Sequence, residues 1–270
     1  MTDPFWEFER AGWERAAEHY DICWTDTLLF VEALLDAAAV GPGTRVLDVA
    51  CGPGYVAAGA LERRAQPVGL DFAPAMVRIA AARVPGGEFV EGDAQHLPFS
   101  DESFDAVTMG FGVHHLSEPE RALAEARRVL GPGRRYAFTS WAEEGNDADA
   151  IVGAAIEAHA DPDVDVPAGP PFFAFSNHEA AAAALTRGGF DPESFRFETV
   201  RAIWRLADPD ALFQAELDAG VRTGAVLRGQ SEERLARIRE AIAAGVSAHD
   251  DGDGYPLTLA AHVVSAATPS

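Results

Sequence analysis

Residues 45–54 have the sequence Arg-Val-Leu-Asp-Val-Ala-Cys-Gly-Pro-Gly, and this stretch decides the fold. Its apolar first half, residues 46–49, predicts a buried strand. Its second half, residues 50–54, is a tight turn of small residues, and a helical pattern follows over residues 55–64. A strand that ends in glycines and opens a helix lets backbone N–H groups approach a ligand closely. The turn alone is a weak signal, because many doubly wound domains contain one.

Two further predicted strands deliver acidic residues to the same region. Asp71 closes the apolar run of residues 68–71 and lies 23 positions after Asp48, near the roughly 20-residue offset of a ribose-binding acid. Asp93 follows the third strand, residues 88–91. In open α/β sheets the carboxyl ends of the strands form the ligand-binding edge. The three acids therefore predict a nucleoside pocket.

Strand and helix patterns alternate through the middle of the chain and predict an α/β fold with a doubly wound sheet. Seven strands are expected, near residues 45–49, 67–71, 87–91, 104–109, 134–140, 194–201 and 256–265. Helices are expected over residues 5–20, 25–39, 54–64, 74–83, 118–130, 208–219 and 231–245, with Gly131-Pro132-Gly133 ending the one before the fifth strand. The predicted parts are an N-terminal helical segment (1–43), a core (44–141), connecting helices (142–188) and a C-terminal part (189–270).

Three successive motifs give the sequence a specific resemblance. They are "VLDVACGPG", "GLDFAPAMV" and "EGDAQHLPFSDESFDAVTMGFGVHHL". In order and spacing, over about residues 44–141, they resemble class I S-adenosylmethionine-dependent methyltransferases. The most similar subgroup contains the ubiquinone/menaquinone-biosynthesis and small-molecule natural-product methyltransferases. Ala50 stands where this family usually has its first motif glycine, so we expect the turn to persist with a slightly less close backbone approach.

The resemblance implies a fold and a reaction. The fold is a Rossmann-like, doubly wound, seven-stranded sheet whose last strand is antiparallel, with residues 1–43 as a helical lid and further helices as a cap. The reaction is methyl transfer from S-adenosyl-L-methionine to a small-molecule acceptor by in-line displacement, leaving S-adenosyl-L-homocysteine. Whether oxygen, nitrogen or carbon is methylated stays open, because fold analogy does not name the acceptor atom.

The resemblance also implies roles for individual residues. Asp48 would order the turn and bind the methyl donor's amino group, Asp71 the two ribose hydroxyls and Asp93 the adenine amino group. The full set of expected cofactor-binding residues is Tyr20, Asp48, Ala50, Cys51, Gly52, Gly54, Asp71, Phe72, Met76, Asp93, Ala94, Gly110 and Phe111. Turn or cap duty is the structural alternative for Asp48 and Asp93, and core packing for Phe72 and Met76.

Acceptor-side residues are expected near the end of the fourth strand and in the cap. His114 or His115 is a candidate general base, with a structural histidine as the alternative. The apolar residues Trp24, Trp141, Phe173 and Trp204 are candidates for the substrate pocket, although ordinary core packing explains such residues equally well. No metal site is expected, because adjacent histidines point apart and no completing spacing follows.

Composition excludes other classes of function. The chain of 270 residues has 43 acidic and 21 basic residues, a formal net charge of −22, and no lysine. Lysine Schiff-base chemistry and a lysine-bearing P-loop are therefore excluded, and nucleic acid is not an expected partner. We interpret the acidity as a solubility feature rather than as a sign of a cationic substrate. Apolar runs are too short for a membrane span and the N-terminus does not resemble a signal peptide, so a cytoplasmic protein is expected.

Three alternatives to a methyltransferase remain. A dinucleotide site, as in an NAD-dependent oxidoreductase, would need a G-x-G-x-x-G turn, but the sixth position from Gly52 is Ala57 and Pro53 interrupts the turn. An aminopropyl transferase would use a similar nucleoside pocket. A protein that binds S-adenosylmethionine without catalysis would have the same core motifs. The oligomeric state is not readable from the sequence.

Overall fold

The structure is a computed structural model, and it describes residues 3–270. Its strands are β1 (Arg45–Val49), β2 (Gln66–Asp71), β3 (Glu88–Glu91), β4 (Phe104–Met109), β5 (Leu130–Trp141), β6 (Arg196–Leu206) and β7 (Tyr255–Ala267). Its α-helices are α1 (Pro4–Ala16), α2 (Tyr20–Cys23), α3 (Val31–Ala37), α4 (Tyr55–Glu62), α5 (Pro74–Arg83), α6 (Pro119–Val129), α7 (Asp147–His159), α8 (His178–Arg187), α9 (Ala211–Ala219), α10 (Arg222–Arg228) and α11 (Glu232–Ser247).

The seven strands form one sheet in the order β3-β2-β1-β4-β5-β7-β6. Strands β1 to β5 pair in parallel, while β7 runs antiparallel to both β5 and β6. This confirms the predicted Rossmann-like fold with an antiparallel last strand. Because β1 lies between β2 and β4, the turn after β1 lies at the centre of the carboxyl edge, where the strand order reverses and ligands bind.

Both faces of the sheet are covered by apolar packing. Side chains alternate along a strand, so Leu47 and Val49 of β1 join one cluster with Leu70 and Tyr136. Val46, on the opposite face, joins a second cluster with residues of α3. A third cluster packs β6 and β7 against α7, α9 and α11. This third cluster fixes the cap beside the carboxyl edge of the sheet.

The N-terminal segment departs from the two long helices predicted over residues 5–20 and 25–39. Helix α1 begins after Asp3, whose side chain accepts a hydrogen bond from Phe5 N at 2.9 Å, and it ends at Ala16. Residues 17–19 and 25–30 instead form 3₁₀ turns. The hydroxyl of Thr27 donates to Trp24 O at 2.8 Å. Such side-chain bonds to the backbone compete with a regular helix.

The segment Gly131-Pro132-Gly133 also differs from its prediction. We expected these residues to separate a helix from a strand, whereas they lie inside β5, which begins at Leu130. The pairing of β4 with β5 shifts register between Phe104 and Ala106, and the extra residues are accommodated there as an irregularity. Glycine and proline are typical of such strand irregularities. Among residues 3–270, no helix is both long enough and apolar enough to cross a membrane.

Candidate active site

The turn after β1 is held in a left-handed conformation by contacts with β2. Ala50 and Gly52 have φ of 52° and 51°. The N–H of Cys51 donates to Leu70 O at 3.0 Å, and the N–H of Gly52 donates to Asp71 Oδ2 at 2.9 Å. A Cβ on Gly52 would meet no atom within 4 Å. The turn therefore leaves open space beside its backbone, as a ligand approaching that backbone requires.

Gly54 has a different position from Gly52. Its φ is 87°, and a Cβ there would lie 3.0 Å from the Cβ of Ala80 in α5. Gly54 lines none of the three cavities described below for residues 3–270. Its conformation and the close approach of α5 account for a glycine at this position.

Two adjacent cavities flank the turn. The strand-edge cavity, of about 650 Å³, lies over the ends of β2 and β3 and is lined by these expected cofactor residues: Tyr20, Ala50, Gly52, Asp71, Phe72, Met76, Asp93, Ala94, Gly110 and Phe111. The turn cavity, of about 420 Å³, is lined by Tyr20, Asp48, Ala50, Cys51, Gly52, Gly110 and Phe111. Twelve of the thirteen expected cofactor residues therefore meet around one turn.

Asp71 is almost completely buried at the floor of the strand-edge cavity. Its Oδ1 accepts from Ala73 N and its Oδ2 from Gly52 N, each at 2.9 Å. Burial raises the pKa of Asp71 to about 6, although these backbone N–H groups oppose the rise. Each carboxylate oxygen has a second lone pair, so Asp71 retains capacity for two further donors, such as a pair of ribose hydroxyls.

Asp48 lies in the turn cavity and is 1% exposed. Its Oδ1 accepts from the Thr108 hydroxyl at 3.1 Å, while its buried Oδ2 has no hydrogen-bond partner among the described residues. Burial, with a contribution from the Asp71 charge, raises the pKa of Asp48 to about 7. A buried carboxylate oxygen without a partner is costly, so this atom marks a place where a ligand donor would bind.

Asp93 lies at the mouth of the strand-edge cavity and holds the local loop. Its Oδ1 accepts from the backbone N–H of Gln95 at 2.9 Å, and its Oδ2 lies 3.3 Å from His96 Nδ1. The turn role anticipated as the alternative is therefore present. Phe72 and Met76 line the same cavity, where Phe72 packs edge-on against Trp6 of α1 with ring centroids 5.9 Å apart.

A third cavity lies between the sheet edge and the cap. We name it the cap cavity; it has a volume of about 830 Å³. Of the predicted substrate residues, Trp24, Trp141 and Trp204 line it, whereas Phe173 does not and packs instead against Phe172, which does. Tyr20 and Phe111 line all three cavities. These two side chains therefore stand where the cap cavity meets the two cavities beside the turn.

The two histidines have different surroundings. His114 is 3% exposed, its Nδ1 has no hydrogen-bond partner among residues 3–270, and burial lowers its pKa well below the usual value. It is therefore a neutral imidazole. His115 lines both the strand-edge and the cap cavity, and its Nδ1 lies 2.9 Å from Glu9 Oε2. The carboxylate favours the proton on Nδ1, which leaves Nε2 as the acceptor nitrogen of the neutral ring.

Glu9 is a site residue that the sequence reasoning missed. It is completely buried and also accepts from Arg222 Nε at 2.7 Å, which joins α1 to α10. Burial raises its pKa, but His115 and Arg222 outweigh this and lower it overall. A signal was present, because Phe5, Glu9, Gly12 and Ala16 form the buried stripe of α1 at helical spacing. A carboxylate on such a stripe needs a buried partner.

Other cavity residues were also missed. Trp6 and Trp13 of α1 line the strand-edge cavity. The acids Asp26, Asp149 and Glu216 line the cap cavity. No sequence motif marks these acids, since they come from three distant segments that only the tertiary fold brings together.

The residues around the turn fit S-adenosylmethionine. The unpartnered Oδ2 of Asp48 suits an amino group, the spare lone pairs of Asp71 suit ribose hydroxyls, and the open space beside Gly52 suits a chain lying on the backbone. Phe72 and Met76 offer apolar contact for a planar base.

Comparison with known proteins agrees with this fit. A model of the methyltransferase domain family matches residues 47–138. The demethylmenaquinone methyltransferase of Renibacterium salmoninarum is 45% identical over 100 residues, which are 37% of this chain and only 42% of that enzyme. The 2-phytyl-1,4-naphtoquinone methyltransferase of a Synechocystis species is 34% identical over 161 residues, 54% of this chain and 67% of that enzyme.

A solved structure shares the fold. The YcgJ protein of Bacillus subtilis superposes with a TM-score of 0.59 over 89% of this chain and 98% of that one, at 18% identity, which is evidence for the fold alone. The sequence relatives show the family as well as the fold, because the Synechocystis enzyme is 34% identical and is matched over 67% of its length. The chain therefore belongs to the class I methyltransferases, whose cofactor is S-adenosylmethionine.

Proposed function

We propose that this protein transfers a methyl group from S-adenosylmethionine to a small-molecule acceptor bound in the cap cavity. The observation that supports this most directly is the junction at Tyr20 and Phe111, where the cap cavity adjoins both cavities beside the turn. A protein that only bound the cofactor would not need this second, adjoining cavity. A net charge of −22 favours a small molecule over a nucleic acid as acceptor.

The chain's own residues would position the reactants and exclude water. When bound, S-adenosylmethionine supplies an activated methyl group on a sulfonium. Asp48 would bind its amino group and Asp71 its ribose hydroxyls, which fixes the methyl group relative to the junction. Phe111 stacks on Trp141 with ring centroids 4.2 Å apart, and this aromatic wall would exclude water from the junction.

His115 is the proposed general base for an acceptor that must lose a proton. Its Nδ1 is bound to Glu9, so Nε2 would accept the proton, and the negative charge of Glu9 would stabilise the imidazolium that forms. His114 is less suited, because burial keeps it neutral and lowers its basicity. His115→Gln should reduce kcat by a larger factor than it weakens cofactor binding, because His115 also lines the strand-edge cavity.

The names of the relatives bear on the identity of the acceptor. Their names point to naphthoquinone acceptors, but the matching family model ends at residue 138. The cap-cavity residues Trp141, Trp204 and Glu216 lie beyond it. The names therefore bear on the cofactor half of the site more than on the cap.

Calorimetric titration tests the proposal. We expect micromolar binding of S-adenosylmethionine and S-adenosylhomocysteine and no binding of NAD. Asp71→Asn should abolish this binding, because it removes the acceptor pair that faces the ribose, whereas Asp165→Asn, the same change at an exposed loop residue, should not. Tight binding by the Asp71 variant would rule out the assignment of the strand-edge cavity, and binding of NAD instead would rule out the proposed reaction.

A further inference from the structure

The cap cavity combines aromatic walls with an unusual set of charges. Its lining includes Trp24, Trp141 and Trp204 together with the three acids Asp26, Asp149 and Glu216. The acids come from the 3₁₀ turn at residues 25–30, from α7 and from α9. Asp26 is buried, whereas Asp149 and Glu216 are half-buried, and Asn146 Nδ2 donates to Asp149 Oδ2 at 2.9 Å. Carboxylates removed from water are normally paired with cations, so the charged groups around these three decide how the cavity is interpreted.

No cation of the chain neutralises the three acids. Within residues 3–270, none of them forms an ion pair, and no basic group lowers the pKa of any of them. Arg222, the arginine on the cavity wall, is engaged by Glu9, by Pro170 O at 3.2 Å and by His114 O. His114 is neutral and His115 is bound to Glu9. The positive charge of Arg222, on the wall of the cap cavity, is therefore already neutralised by Glu9.

Asp26 provides an independent sign of a ligand. Its side chain is 3% exposed and lines the cap cavity, and its Oδ1 has no hydrogen-bond partner among the described residues. It lies next to Thr27, which lines both the cap cavity and the turn cavity. The Oδ1 atom of Asp26 is therefore an acceptor without a partner close to the place where methyl transfer would occur, although backbone N–H groups of Thr27 and Asp26 interact with the carboxylate and oppose the rise of its pKa.

The three acids act on one another electrostatically. Burial, followed by the charge of Asp149, raises the pKa of Asp26 to about 7. Burial and the charges of Asp149 and Asp26 raise the pKa of Glu216 to about 8, and burial raises that of Asp149 to about 6. Tyr20, the remaining titratable group on the wall, is kept protonated because burial and Asp26 raise its pKa. A bound cation would relieve this repulsion.

We propose that the methyl acceptor is an organic amine, which binds in the cap cavity as its ammonium ion beside Asp26, Asp149 and Glu216. One of these carboxylates takes a proton from the ammonium ion. The freed nitrogen lone pair then forms the N–CH3 bond while the S–CH3 bond of the sulfonium breaks and S-adenosylhomocysteine leaves. This inference rests on the proposed function. An ammonium group donates to carboxylates and is attracted to the faces of tryptophan rings, and both chemistries line this cavity. A metal ion is a poorer occupant, because no group of three His, Cys, Asp or Glu side chains within residues 3–270 is placed to hold one. A neutral quinone would not relieve the repulsion among the three acids.

Matched pairs of ligands test the proposal. The probes are 2-phenylethylamine with 2-phenylethanol, tryptamine with tryptophol, and cyclohexylamine with cyclohexanol, each titrated calorimetrically into the protein saturated with S-adenosylhomocysteine. We expect at least one amine to bind ten times or more tightly than its alcohol. The proposal is overturned if no amine is preferred over its alcohol, or if 1,4-naphthoquinone binds more tightly than every amine.

Variants of the acids show which residues cause the preference for amines over alcohols. Asp26→Asn and Glu216→Gln should each weaken amine binding tenfold or more and leave alcohol binding unchanged. Glu157→Gln, the same chemical change on the exposed face of α7, is the matched control and should change neither. Unchanged amine affinity in both cavity variants would overturn the assignment. These variants should fold, because each removes a carboxylate that no cation of the described residues neutralises.

Proton release provides a second measurement on the unaltered protein. A cation beside the three acids lowers their pKa values, so amine binding at pH 7 should release protons and alcohol binding should not. Calorimetric titration in buffers of different ionisation enthalpy measures the number of protons released on binding. If an amine binds and no proton is released, the proposal is contradicted. If S-adenosylhomocysteine binds but amines are not preferred, only this inference fails. If S-adenosylhomocysteine does not bind, the proposed function fails.

Discussion

Replacing Glu9 by glutamine should destabilise the protein more than any other single charge removal in the N-terminal segment. Glu9 is completely buried, and its two oxygens bind His115 at 2.9 Å and Arg222 at 2.7 Å. It thus joins α1 to the turn after β4 and to α10. Glutamine keeps the shape of the side chain but removes the negative charge that both partners face.

The size of the loss of stability follows from the charge of Arg222, which the substitution leaves without a counter-charge. Removing one partner of a buried ion pair costs about 3–5 kcal/mol, since the other charge stays buried and unmatched. The side chain of Arg222 is only 20% exposed, and glutamine still offers one hydrogen-bond acceptor, so we expect the lower end, about 3 kcal/mol. At 2–4 °C for each kcal/mol, the melting temperature should fall by roughly 10 °C.

Thermal unfolding followed by circular dichroism measures this loss, and Glu62→Gln, the same change at an exposed position of α4, is the control. Amide hydrogen exchange should show faster exchange in α1 of the Glu9 variant. The charge should matter at neutral pH and lose its effect only as the pH falls below about 4.5, because the pKa of Glu9 is held below its ordinary value. A loss under 1 kcal/mol would refute the reasoning.

Three further predictions concern the turn and the lid. Asp48→Asn should raise the free energy of unfolding by about 1 kcal/mol or more at pH 8 and change it little at pH 4. Burial raises the pKa of Asp48 to about 7, so folding opposes the ionisation of this side chain above that pH. Equal melting temperatures of the variant and the unaltered protein at pH 8 would contradict this prediction. Ala50→Gly should stabilise the protein by about 1 kcal/mol in urea unfolding, since Ala50 has φ of 52°, whereas Ala58→Gly in α4 should destabilise it by a similar amount. Asp21→Asn should lower the free energy of unfolding by less than about 1 kcal/mol in the same assay, because the ion pair of Asp21 with Arg83 is half exposed. A larger loss would contradict this and would show that the ion pair is needed to hold the N-terminal segment against α5.

The sequence by itself determined the sheet and the turn. Alternating patterns predicted the seven strands, and the glycine turn, with Asp48 in β1 and Asp71 at the end of β2, predicted where a ligand would bind. These signals are local, because a buried strand, a left-handed turn and a strand-end carboxylate each need a particular residue at a particular position. Local patterns were less informative at Gly131-Pro132-Gly133, because Leu130 and Arg135 on either side pair with β4 and enclose these turn-forming residues in one strand.

Only the tertiary structure decided the electrostatics of the site. Glu9 meets His115 across 106 positions and Arg222 across 213, and the acids of the cap cavity come from three separate segments. The sequence alone does not show whether an acidic side chain is exposed to solvent or paired with a cation. Burial and the neighbouring charges set its pKa and its binding partners, and both are fixed only when the N-terminal segment and the helices α7 to α11 pack against the sheet.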